Sequence, residues 1–146
     1  MRKHGELWVT FSVTGADVVL PPLSSAPTFK EGLWQSTCFE LFVAGTTGPS
    51  YEEWNFSPSG DWWHAEFKDY RIQTENTARP AAPQIRTATH SGVRIEIRVP
   101  AFSLPHSACA PCAVLKHQSG EISYWAMEHS GNKADFHRRD SFVLHL

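Results

Sequence analysis

The sequence has no apolar run approaching the roughly 18 to 20 residues of a membrane-spanning helix, which excludes that class of membrane protein. Charge is scarce and balanced. Charged residues are 19% of the chain, and 13 basic against 15 acidic side chains leave a net charge of -2. An average soluble domain carries about 25% charged residues. Such a chain has no bulk positive field with which to hold nucleic acid or an anionic membrane surface. Cysteines number three, and an odd count makes a poor disulfide framework. Sustained 3.6-residue periodicity and internal repeats are both missing, so helical bundles and solenoids are out. The opening run Met1-Arg2-Lys3-His4-Gly5-Glu6 lacks an apolar signal core, and the expected location is cytoplasmic.

What the chain does have is apolar and aromatic mass. Its 146 residues are 41% hydrophobic and 12% aromatic, with six Trp and nine Phe. That suffices for one domain, 1–146, around a sizeable core. Period-2 alternation marks Leu7 to Val13 as a strand. Thr37 to Ala44 is apolar on both faces except at Glu40, the pattern of a central strand. Tyr51 to Phe56 and Asp61 to Phe67 flank Ser57-Pro58-Ser59-Gly60 as a hairpin. Asp69 to Pro83 reads as a long surface loop. Gln84 to His90 and Val93 to Val99 form a second hairpin across Ser91-Gly92. Pro100 to Leu104 reads as a short helical turn. Val114 to His117 and Ile122 to Met127 form a third hairpin across Ser119-Gly120, and Phe142, Leu144 and Leu146 a last strand. About ten short strands with Gly and Pro turns predict an all-β antiparallel sandwich of the jelly-roll or immunoglobulin-like kind.

Several segments recur in a familiar order: Leu33-Trp34-Gln35-Ser36-Thr37-Cys38-Phe39-Glu40-Leu41-Phe42, then Tyr51 to Trp62 (YEEWNFSPSGDW), Tyr70-Arg71, Ser123-Tyr124-Trp125-Ala126 and Asp135-Phe136-His137. This succession resembles the DOMON-like superfamily, in particular small bacterial DOMON-like proteins akin to family 9 carbohydrate-binding modules. It covers residues 33–146. The resemblance implies a jelly-roll-like sandwich that binds a ligand, either a sugar or, in other branches, haem.

Sugar rings present an apolar C–H face that stacks on indole, while their hydroxyls need carboxylate, amide or guanidinium partners. The candidate site is therefore Trp54 or Trp62 as a stacking platform, with Asn55, Glu40 and Arg71 orienting hydroxyls. Trp125 would complete an aromatic sandwich. Core packing competes at each Trp, because indoles are highly buried on average. Trp62 and Trp63 are adjacent, so they point to opposite faces of a strand. Glu40, alone among apolar neighbours, needs either a polar groove or a cation. The resemblance offers Arg71 as that cation, in a structural pair. Asp135 and His137, with His129 nearby, fit loop fastening better than a metal site.

His106, Cys109, Cys112 and His117 have a spacing that just places four zinc donors, and Cys109-Ala110-Pro111-Cys112 has redox-motif spacing. The segment reads as loop and strand, so neither a metal nor any other cofactor is expected. Haem lacks a marked ligand pair, with Met127 the one Met in a matching segment, and covalent attachment is excluded because Ala113 follows Cys112. Carboxyl pairs drawn from Glu40, Glu52, Glu53 and Asp61 are conceivable for a small sugar hydrolase, but no catalytic motif marks them. The expected function is a non-catalytic module for a small-molecule or sugar ligand, with haem binding and hydrolysis as alternatives. Under non-reducing denaturing conditions all three thiols should titrate as free, without stoichiometric zinc. One equivalent of zinc per chain would make His106, Cys109, Cys112 and His117 ligands.

Overall fold

In the computed structural model the described residues are 5–15, 17–45, 47–102 and 108–146, the side chains of 101 and 102 aside. Met1 to His4, His106 and the end of the expected 100–104 turn lie outside them. Ten strands occur among the described residues: β1 Gly5–Val13, β2 Cys38–Ala44, β3 Tyr51–Phe56, β4 Trp62–Asp69, β5 Ile72–Gln73, β6 Gln84–Ala88, β7 Val93–Phe102, β8 Ala108–Lys116, β9 Ile122–Ala126 and β10 Leu144–His145. All ladders are antiparallel. One sheet has three strands in the order β1-β7-β6. The other has seven, running β10-β8-β2-β3-β4-β5, with β9 also on β8. The helical content of the described residues is two 3-10 turns, Leu33–Gln35 and Arg139–Ser141.

The two sheets face one another as a sandwich. Phe39, Leu41 and Val43 of β2, Trp54 and Phe56 of β3 and Trp62 of β4 meet Val93, Ile95, Ile97 and Val99 of β7. The alternate residues of β2, Cys38, Phe42 and Ala44, pack on the outer face of the large sheet. There they are covered by Leu33 and by Phe136 and Phe142 of the segment between β9 and β10. Every residue of β2 is buried, as its double-sided apolar pattern demands.

Four segments differ from their sequence reading. Ile72–Gln73 is a short strand on β4 inside the expected 69–83 loop. The last strand is only Leu144–His145, with Phe142 ending a 3-10 turn. The other two involve prolines. Pro100 to Phe102 does not turn helically but continues β7, where Leu7 pairs with Val99 and Gly5 with Phe102. One extra residue of β7 bulges between these pairs, and Pro100 falls there, where a missing N–H is tolerated. Likewise β8 begins at Ala108 and not at Val114, because it pairs with β2 along its length. On its other edge β10 reaches Cys109 and β9 starts at Cys112, leaving Pro111 in the gap between them. Tertiary pairing overrides the local loop signal of Cys-Ala-Pro-Cys.

The β3–β4 hairpin is closed by Ser57 N–H donating to the Asp61 carbonyl at 2.9 Å and Gly60 N–H to that of Ser57 at 3.0 Å. Gly60 has φ 98°, and a Cβ there would lie 3.0 Å from Pro27 Cγ, so a side chain would be both strained and crowded. Trp54 stacks on Trp62 at 6.1 Å and lies 4.4 Å from the His64 ring. Trp54→Ala should therefore cost about 3–5 kcal/mol of stability in denaturant titration. Trp125→Ala, at a residue 59% exposed, should change stability by no more than about 0.5 kcal/mol. Equal effects would contradict this division of the indoles.

Candidate functional site

Strand register places Glu40, Glu53 and Asn55 in rows on the outer face of the large sheet. Glu40 of β2 is opposite Asn55 of β3, which is opposite Trp63 of β4. The next row is Phe42, Glu53 and Ala65. Glu40 and Glu53 are thus diagonal neighbours, positions roughly 7–8 Å apart and within reach of long side chains. Over these rows lies a cavity of about 330 Å³. Its walls come from different elements: Trp34 from the first 3-10 turn, Tyr124 from β9, Arg71 from the β4–β5 turn, and Asp135 to His137.

Two hydrogen-bonded chains fix these walls. In the first, Arg71 N–H donates to the Tyr51 hydroxyl at 3.1 Å, and that hydroxyl lies 2.7 Å from His137 Nδ1. The other ring nitrogen, Nε2, stands 3.5 Å from Glu53 Oε2. Burial first, then the charge of Arg71, lowers His137 to about 4, and it is neutral near pH 7. In the second chain the Tyr70 hydroxyl donates to one oxygen of Asp135 and Arg71 Nη2 to the other at 2.7 Å. His137 N–H adds a bond to Asp135 at 3.2 Å. Burial pushes Asp135 up, but the hydrogen bonds from Tyr70 and Arg71 outweigh it and hold the carboxyl below its ordinary value. Arg71 adopts φ 54°, a conformation glycine takes without strain, so the turn carries an arginine at a cost of about 1–2 kcal/mol.

Arg71 is therefore the partner of Asp135 and not, as the resemblance suggested, of Glu40. Among the described residues no Lys or Arg forms an ion pair with Glu40 or Glu53. Burial, then the charge of Glu53, drives Glu40 well above the usual carboxylate range. Burial raises Glu53 to about 7, against smaller opposing pulls from Asn55 and Arg71. Two adjacent buried acids with no ion-paired Lys or Arg hold at least one proton between them near neutrality. Asn55 is 1% exposed, and although its amide lies beside Glu53, neither Oδ1 nor Nδ2 makes a hydrogen bond of good geometry.

Of the residues singled out from sequence, Glu40 and Arg71 line this cavity, and Asn55 lies in its floor row. Trp54 and Trp62 do not reach it, because the pleat turns them into the core between the sheets. Trp63, on the opposite face from Trp62, lines the cavity instead. Trp125 points away from it too, into a separate apolar groove of about 730 Å³ between the sheets, where its Nε1 donates to Ser123 Oγ. The neighbouring Tyr124 faces the cavity. Trp34, Tyr124, Asp135 and His137 were not in the candidate set. Pleat parity was the available signal, but β2 is apolar on both faces and its alternation does not say which face is inner.

Cys109 and Cys112 project to opposite faces of β8, one into each core, so the two thiols do not converge. The His117 ring nitrogens bond Asp17 at 2.9 Å and Ser123 at 2.7 Å. Among the described residues no group of three or more His, Cys, Asp or Glu side chains is arranged to hold a metal.

No family model and no curated protein sequence matches this chain. Among solved structures, it is similar to a "putative carbohydrate-binding protein" from Bacteroides uniformis ATCC 8492. The TM-score is 0.58 at 14% identity, over 92% of this chain and 70% of the other. At that identity the likeness is one of fold.

The acids and His137 tilt stability with pH in opposite senses. A carboxyl raised in the folded state stabilises below its unfolded value of about 4.5, and this is lost as pH rises through about 7 for Glu53. A depressed His137 stabilises above 6.5, and this is lost as pH falls through about 4. Stability should peak at mildly acidic pH. Glu53→Gln should gain about 2–3 kcal/mol over the wild type between pH 5 and pH 8. Parallel stability–pH curves for the two proteins would contradict this.

Proposed function

We propose that this chain is a single-domain, non-catalytic binding module of the DOMON-like type whose ligand is a carbohydrate. The observation that carries the reading is the composition of one cavity. Trp34 and Tyr124, 52% and 49% exposed, stand with half-buried Trp63 around Glu40, Glu53, Arg71 and Asp135. Apolar walls with a few placed polar groups are what a small-ligand site needs. Indole and phenol faces would take the C–H face of a pyranose. Carboxyl oxygens and the Arg71 guanidinium, fixed by Tyr70 and Asp135, would take its hydroxyls. Asn55, in the floor row, would offer its amide to a ligand hydroxyl. Trp54 and Trp62 would serve the site only as the packing that holds the β3–β4 hairpin flat beneath it.

Two further supports come from outside the cavity. The order of aromatic and acidic motifs along residues 33–146 resembles that of family 9 carbohydrate-binding modules. The solved neighbour bears a name that refers to carbohydrate.

A panel of soluble mono- and disaccharides should raise the melting temperature, since a ligand at a hundredfold excess over its Kd stabilises by about 2.7 kcal/mol. Trp34→Ala should weaken binding by at least about 2 kcal/mol in calorimetry while barely changing the unliganded melting point. A flat response to the whole panel, or wild-type affinity in Trp34→Ala, would overturn the reading.

A further inference from the structure

The charge inventory of the cavity is lopsided. Glu31, Glu40, Glu53 and Asp135 line it against one fixed cation, Arg71. That cation is committed to Asp135 at 2.7 Å. Beside the remaining pair, His137 Nε2 stands 3.5 Å from Glu53, and the low value of its ring leaves it neutral near pH 7. The facing strands contribute no countercharge: β8 offers Cys112, and β2 itself Cys38, both buried thiols. Glu40 is 4% exposed, opens on the cavity and has no partner among the described residues. Beside it in the same row, the Asn55 amide is buried with both atoms unpartnered.

A neutral sugar hydroxyl would satisfy hydrogen bonds here but supply no charge to the two acids. A metal ion would need six or more converging oxygens if it were a hard cation, and the described acids do not converge in that way. The walls around the acids include instead three large aromatic side chains, Trp34, Trp63 and Tyr124. Aromatic faces beside carboxylates form a receptor for an organic ammonium group, which gains from both. Resting on the carbohydrate reading, we propose that the cavity selects a sugar bearing a protonated amine, with the ammonium seated on Glu40 and Glu53 against the indole wall. Proton balance follows. The acids hold a proton when the cavity is free of a cation, and an incoming R–NH3⁺ ion expels it, so binding releases about one proton per ligand.

Isothermal calorimetry on the wild-type chain tests this with D-glucosamine, D-glucose and N-acetyl-D-glucosamine, the matching galactose and mannose sets, and cyclohexylammonium. Each is measured in buffers of different ionisation enthalpy. Near pH 7 an amino sugar should bind at least about tenfold more tightly than its hydroxyl and acetamido counterparts, with proton release. The advantage should shrink near pH 5, where both acids are protonated, and in Glu40→Gln and Glu53→Gln. Equal or tighter binding of the neutral sugars overturns the ammonium proposal and leaves the carbohydrate reading standing. Binding of cyclohexylammonium without any sugar upholds ammonium recognition and removes the carbohydrate. If nothing in the panel binds, both fall.

Discussion

The structure depends on covering one strand from both sides. β2 runs through the middle of the seven-stranded sheet with every residue buried. Its odd-numbered side chains anchor the sandwich against β7, and its even-numbered ones need a second cover. That cover is the segment between β9 and β10, through Phe136 and Phe142. Sheets apolar on both faces require layers on both faces. This chain meets the requirement with an irregular segment where a third sheet or a helix layer would otherwise stand. An irregular cover leaves space beneath it, and the cavity is that space.

The position of Glu40 follows from the same constraint. A carboxyl on a doubly buried strand either finds a cation or keeps its proton. Here Arg71, the arginine that lines the cavity among the described residues, is held by Tyr70 and Asp135, and in turn that group pins the covering segment to the β4–β5 turn. Tyr51 and His137 add a second tie between β3 and the cover. The polar chains that hold the cavity's roof therefore consume the charge that would have neutralised its floor. Stability of the cover and availability of the acids are linked through Arg71.

Much of the fold was legible from residue order, because period-2 patterns and Gly or Pro turns report directly on local pairing. β1, β2, β3 and the hairpins carry that signal in Leu7 to Val13, Thr37 to Ala44 and Ser57 to Gly60. Among the failures, Pro100 and Pro111 are places where a local breaker lies within a long ladder and pairing wins. The site was legible in part. Glu40 stood out as a charge among Phe39, Leu41 and Phe42, and Arg71 as a turn residue of a recurring motif. Choosing Trp62 over Trp63, and Trp125 over Tyr124, was a choice of sheet face. Alternation gives the two faces of a strand but not which of them is inner when both are apolar. Nor does a local pattern show Asp135 or His137 arriving from 64 to 86 residues away in sequence to meet Arg71 and Tyr51.

The central claim is that two neighbouring buried acids, without a cation, form the floor of a ligand cavity. Side-chain carboxyl ¹³C NMR across a pH titration reads it directly, with Glu40→Gln and Glu53→Gln providing the assignments. Glu53 should titrate at about 7 and Glu40 well above the usual carboxylate range, each shifting when the other is replaced. If both carboxyls titrate near the ordinary value of about 4.3, independently of one another, the acids are solvated or paired, and the account of this cavity is wrong.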